Sequence, residues 1–116
     1  SGLIDDSLRN RFLDGEKSFQ LNHIIFRGDA IIFDTLKSRS VKLYGRKSGR
    51  GVKMDFGGMD YFAVWSPLRD APFVCLEPWT GTATLTSEDD IFEHKRGITI
   101  LEKGKSASYR FSMTMF

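Results

Sequence analysis

A carboxylate held at the end of a run of apolar residues is the most chemically suggestive element of the sequence. In Phe73-Val74-Cys75-Leu76-Glu77-Pro78-Trp79 the acid follows four apolar residues and is closed off by a proline. Partial removal from water disfavours the charged form of such a carboxyl, which raises its pKa and makes it a better general base near neutral pH. Pro78 fixes the backbone beside it, and Trp79 offers an aromatic face of the kind that packs on the apolar side of a pyranose ring. The competing account is structural, since buried acids at strand ends pair with Arg or Lys.

A second acid, Asp29, lies between Phe26-Arg27-Gly28 and the apolar run Ala30-Ile31-Ile32-Phe33. It reads either as an Asx turn entering a strand or as a hydrogen-bond acceptor for sugar hydroxyls. Trp65, closing Tyr61-Phe62-Ala63-Val64-Trp65, is a core residue or a residue lining a site beside the turn at Ser66-Pro67. His23 and His94 are the only imidazoles, and neither has a His, Cys or acid at metal-ligand spacing, so no zinc site is expected. The single cysteine, Cys75, stands between Val74 and Leu76 and reads as a small buried hydrophobe. Gly45 to Gly51 lacks the spacing of a phosphate loop and no serine sits in a G-x-S-x-G elbow, which sets aside nucleotide and acyl-transfer chemistry.

These residues must be placed by short strands. Eleven glycines and three prolines divide 116 residues into segments of strand length, and no long helical period is present. Ser40 to Tyr44 and Val52 to Phe56 alternate and flank a basic, glycine-rich loop, which predicts a hairpin. Tyr61 to Trp65 and Phe73 to Leu76 are apolar on both faces and are expected to lie deepest. Asp29 to Phe33, Gly97 to Leu101 and an alternating stretch from Ser108 to Met115 complete roughly seven strands. Phe19 to Phe26 is strand or a single helical turn. Thr80 to Lys95 is a long polar loop with one helical turn capped by Ser87. The class is all-β with antiparallel connections.

Composition bounds the function. Hydrophobic residues make up 41% of the chain, enough for one core, so a single domain or a fragment of one is expected over residues 1 to 116. Seventeen basic against fifteen acidic side chains are scattered without a basic block, which gives no argument for nucleic acid. No apolar run is long enough to span a bilayer and residues 1 to 10 do not read as a signal peptide, so a cytoplasmic setting is expected.

Val64-Trp65-Ser66-Pro67 followed by Ala71 to Gly81, with Glu77-Pro78-Trp79 inside it, resembles the signature of LacX-type proteins of the galactose mutarotase-like, aldose 1-epimerase superfamily. Leu21 to Phe33, Leu36 to Arg39 with Val41, and His94 to Ile98 with Leu101 resemble the same family in the same order. The resemblance implies the C-terminal part of a large antiparallel β-sandwich, the supersandwich. It implies that Glu77 is the base that takes the proton of the C1 hydroxyl while a histidine protonates the ring oxygen, opening the hemiacetal without metal or cofactor. It places a sugar-binding aspartate at Asp29; Trp65 and Trp79 are expected as further sugar contacts on the strength of their aromatic faces.

The family's histidine and arginine belong to an N-terminal portion that this chain lacks, and neither His23 nor His94 stands in the family's histidine context. The expected function is therefore a hexose-binding, aldose 1-epimerase-like isomerase whose acid lies elsewhere. The alternative is a carbohydrate-binding β-sandwich without catalysis. Open sheet edges in such a fragment are expected to promote self-association.

Overall fold

A computed structural model describes residues 2–116. Six strands form two antiparallel three-stranded sheets, and no helix exceeds a short 3-10 turn among the described residues. One sheet has the order β1-β4-β5, from β1 (Ile31–Phe33), β4 (Tyr61–Trp65) and β5 (Cys75–Trp79). The other has the order β2-β3-β6, from β2 (Ser40–Tyr44), β3 (Gly51–Asp55) and β6 (Ser112–Met115). The all-β, antiparallel sandwich class expected from the sequence is the class observed.

The β2–β3 hairpin forms as expected, with Ser40 opposite Asp55 and Tyr44 opposite Gly51. Its loop is closed by Gly45 N–H donating to Arg50 O at 3.0 Å, and by Gly49, whose φ of 68° is left-handed. In the other sheet, Ile31, Phe33, Phe62, Val64 and Leu76 share one face by register and alternation. That face supplies half of the core, and Met54 and Phe56 supply much of the rest. Phe56 and Phe62 are the largest fully buried side chains, and their rings stack at 4.9 Å between centroids. Arg39 closes the outer side of this pair, its guanidinium 5.1 Å from the Phe56 ring while it donates to the carbonyls of Leu36, Ser38 and Met59.

Several local expectations are corrected. The strand expected over Phe73 to Leu76 begins at Cys75 and continues to Trp79, so Glu77 lies inside a strand instead of at its end. Phe73 is exposed, leaving β4 as the deepest strand with Phe62, Ala63 and Val64 buried. Pro78 is tolerated because β5 is an edge strand, where a missing N–H removes no ladder bond on the outer side.

Gly97 to Leu101 is not a strand. Gly97 takes a φ of 72° and Ile98 N–H bonds back to Lys95 O, so the chain turns where pairing would begin. The helical turn in the long loop lies at Phe92–His94 and has no side-chain cap, because the Ser87 hydroxyl is bonded to Asp6. The final strand is shorter than its alternation, and its apolar residues are not covered: Tyr109, Phe111, Met113 and Met115 are all exposed, Met115 at 88%. Phe19 to Phe26 resolves as a 3-10 turn over His23–Phe26, capped by the Asn22 side chain.

Candidate functional site

The register of β1-β4-β5 decides which side chains meet. Ala63 is opposite Glu77, Tyr61 opposite Trp79 and Trp65 opposite Cys75. These six residues therefore share the face turned away from the Phe62–Val64 core, together with Ile32, the partner of Ala63 on β1. Three of the four residues singled out in the sequence, Trp65, Glu77 and Trp79, are brought onto one surface. Successive residues on one face of a strand are about 7 Å apart, so Glu77 stands midway between the rows that hold the two tryptophans. Ala63, at the centre, is completely buried among its larger neighbours and leaves the floor of the face small and apolar.

Glu77 is half-buried, and among the described residues its carboxylate takes part in no salt bridge or side-chain hydrogen bond. Among the described residues no buried side-chain oxygen or nitrogen lacks a partner, so the Glu77 oxygens reach solvent. The structural account, in which a strand acid is retained to pair with Arg or Lys, has no partner here. A half-buried carboxylate without a partner, on a surface that also carries two tryptophans, is free to accept a hydrogen bond from a ligand hydroxyl.

Asp29 stands apart. Its φ of 84° ends the 3-10 turn, and its carboxylate accepts the Ala30 N–H at 2.7 Å. It precedes β1 at the end of the sheet where Ile31 pairs with Val64, the end remote from Trp79. The structure thus gives Asp29 a local turn role and does not bring it onto the row of Glu77. Trp65 carries a further aromatic neighbour, Phe73, at 6.2 Å between ring centroids.

Neither histidine shares the Glu77 surface. His23 Nδ1 is 2.9 Å from Pro67 O, which can only accept, so Nδ1 carries the hydrogen. The same nitrogen is 3.3 Å from Ser66 Oγ, and the Ser66 hydroxyl donates to Phe73 O. This chain ties the 3-10 turn to the end of β4 on the core side, beside a cavity of about 290 Å³ lined by Leu21, Phe26 and Val74 among others. His94 is exposed, its Nδ1 2.7 Å from Asp89 Oδ2. That hydrogen bond, followed by one from Ile91 N–H, holds the Asp89 carboxyl below its ordinary pKa. Among the described residues no group of three or more His, Cys, Asp or Glu side chains is arranged to hold a metal ion. No helix among the described residues is long and apolar enough to cross a membrane.

Residues that sequence reasoning did not select also border the face. Tyr61 is one, and period two along Tyr61 to Trp65 would have found it as the neighbour of Trp65 once removed. Arg96 is another: its guanidinium lies 5.2 Å from the Tyr61 ring centroid, yet no periodic signal links a loop residue to a strand far from it in the chain.

Two proteins are similar in sequence, both from Lactococcus lactis subsp. lactis: plasmid-encoded protein LacX and chromosomal protein LacX. Each is 43% identical over 99 residues, covering 85% of this chain. The chain spans about a third of the length of these curated relatives, 33% in each case. No family model matches the chain. No solved structure matches it either. The similarity supports a LacX-type relationship and covers the β1-β4-β5 sheet in a chain of all-β architecture.

Proposed function

We propose that this LacX-type chain is the base-bearing, C-terminal part of an aldose 1-epimerase-like β-sandwich that interconverts the α and β anomers of a hexose. Glu77 would accept the proton of the C1 hydroxyl, and the sugar would lie across Trp79 and Tyr61 with Trp65 bounding its other side. The single observation that carries this reading is the unpaired, half-buried Glu77 carboxylate between two tryptophan rows on one sheet face. The acid that protonates the ring oxygen would come from outside these residues, and Asp29 would contribute at most a contact to a distal hydroxyl. No metal or organic cofactor takes part in this scheme, and the setting proposed is cytoplasmic.

A second reading is favoured by a specific observation, that no histidine shares the Glu77 face. In that reading the chain binds a hexose and performs no chemistry. Polarimetry of freshly dissolved α-D-galactose separates the two when the longest expressed form of the protein is compared with Glu77→Gln. A general base contributes on the order of a hundredfold or more, so the variant is expected to lose the acceleration of mutarotation. A Gln variant as fast as the parent overturns the assignment of Glu77. Binding without acceleration, weakened by Trp79→Ala, supports the binding reading.

A further inference from the structure

Arg96 is a guanidinium built into the edge of the Glu77 face, and it is fixed from several directions. Its Nε donates to Thr82 Oγ1 at 3.1 Å, and Thr82 is buried at 6% exposure. Its backbone N–H donates to Glu88 Oε1 at 2.9 Å. One terminal nitrogen, Nη1, lies 3.8 Å from Asp34 Oδ2, beyond hydrogen-bond length, and Asp34 directly follows β1. The Arg9 guanidinium bonds the other oxygen of Asp34 at 3.1 Å. Asp34 therefore already has a strong partner and does not consume the donors of Arg96. Nη2 of Arg96 has no hydrogen-bond partner among the described residues, and the side chain is 28% exposed.

The position of this group matters more than its charge. Arg96 stacks over Tyr61, and Tyr61 is the cross-strand partner of Trp79. Directly opposed residues of an antiparallel pair have Cβ atoms about 5 Å apart. A ring lying on Trp79 and reaching Glu77 would therefore carry its hydroxyls beside Arg96. A planar guanidinium held on a cation–π contact, with unused N–H donors, is preorganised to donate to vicinal oxygens without ordering a free side chain on binding.

Resting on the hexose reading given above, we infer that Arg96 is a sugar-binding residue, the fixed hydrogen-bond donor that engages hydroxyl oxygens of a hexose seated on Tyr61 and Trp79. Thr82 is a positioning residue for it. Charged donors make the stronger hydrogen bonds, and the expected loss on removing this one is about tenfold in affinity.

The test is titration of the longest expressed form of the protein with D-galactose, read by tryptophan fluorescence, for the parent, Arg96→Gln, Arg96→Lys, Thr82→Val and Trp79→Ala, each with its melting curve. Weakening by about tenfold in Arg96→Gln, with partial recovery in Arg96→Lys and a smaller loss in Thr82→Val, supports the inference. Should Arg96→Gln fail to melt cooperatively, Arg96→Lys and Thr82→Val carry the test through the same ordering of affinities. Galactose binding that survives Arg96→Gln at the parental affinity while Trp79→Ala weakens it overturns the role of Arg96 and leaves the hexose reading standing. A parent that does not bind galactose overturns both.

Discussion

Replacing Phe62 by alanine tests the central packing claim, that one stacked pair joins the two sheets. Phe62 is 1% exposed on β4 and Phe56 is 0% exposed just beyond β3, with ring centroids 4.9 Å apart and an interplanar angle of 27°. Truncating a buried Phe to Ala costs about 3 to 5 kcal/mol through lost burial and the cavity left behind. Marginal stability of about 0.05 kcal/mol per residue corresponds to about 6 kcal/mol for a chain of this length, and the small set of buried apolar residues places it at that lower end.

Phe62→Ala is thus expected to leave about 1 to 3 kcal/mol, moving the urea midpoint down by half or more at an unchanged slope. Fluorescence of Trp65 and Trp79, both on the affected sheet, reports the transition. A double-mutant cycle with Phe56→Leu and Phe62→Leu is expected to give a coupling of about 0.5 to 1.5 kcal/mol beyond simple burial. A loss below about 1 kcal/mol in Phe62→Ala refutes the assignment of this pair as the joint between the sheets.

Gly97→Ala is expected to destabilise by more than about 1 kcal/mol, because φ is 72° there and an added Cβ would lie 2.8 Å from Thr80 O and 2.9 Å from Tyr61 Cε2; the melting temperature reads this directly. The amino-terminal segment is pinned by Asp6, whose carboxylate accepts from the Ser87 hydroxyl at 2.6 Å and from Thr86 at 3.1 Å, beside the bridge of Ile4 to Leu85. The Ser87 hydrogen bond chiefly holds the Asp6 pKa below its ordinary 3.8, so its stabilisation is complete above that pH and is lost as pH falls through the lower folded value. Protection factors at Ile4 and Thr86, taken relative to the intrinsic exchange rate at each pH, are expected to fall on acidification below that point, and Asp6→Asn is expected to remove this pH dependence.

Much of this architecture was legible where alternation and burial agree. The hairpin of Ser40–Tyr44 and Gly51–Asp55 followed from period two flanking a glycine-rich loop, and Tyr61–Trp65 from its apolar density. Alternation misled at the C-terminus. Phe111 and Met113 mark a face without saying whether anything covers it, and here nothing among the described residues does. The extent of β5 was misread because Glu77 and Pro78 look like strand breakers, whereas an edge position removes both objections. Trp65, Glu77 and Trp79 could be nominated singly, but their common surface depends on the antiparallel register with β4, a non-local fact. Arg96 was invisible for the same reason, since its neighbours Thr82, Asp34 and Tyr61 converge only in the folded chain.

The alternation along β4 and β5 divides mutational freedom as well as space. Phe62, Val64 and Leu76 face the core, while Tyr61, Ala63, Trp65, Glu77 and Trp79 face the other way. Single substitutions at Trp65, Glu77 or Trp79 can change the chemistry of the outer surface, or retire the carboxylate altogether, while leaving the packing around Phe62 intact. A one-residue insertion within either strand has the opposite character, because it carries every outward residue inward and every core residue out. The outer surface of this sheet can therefore vary readily by point substitution and scarcely at all by length change within β4 or β5.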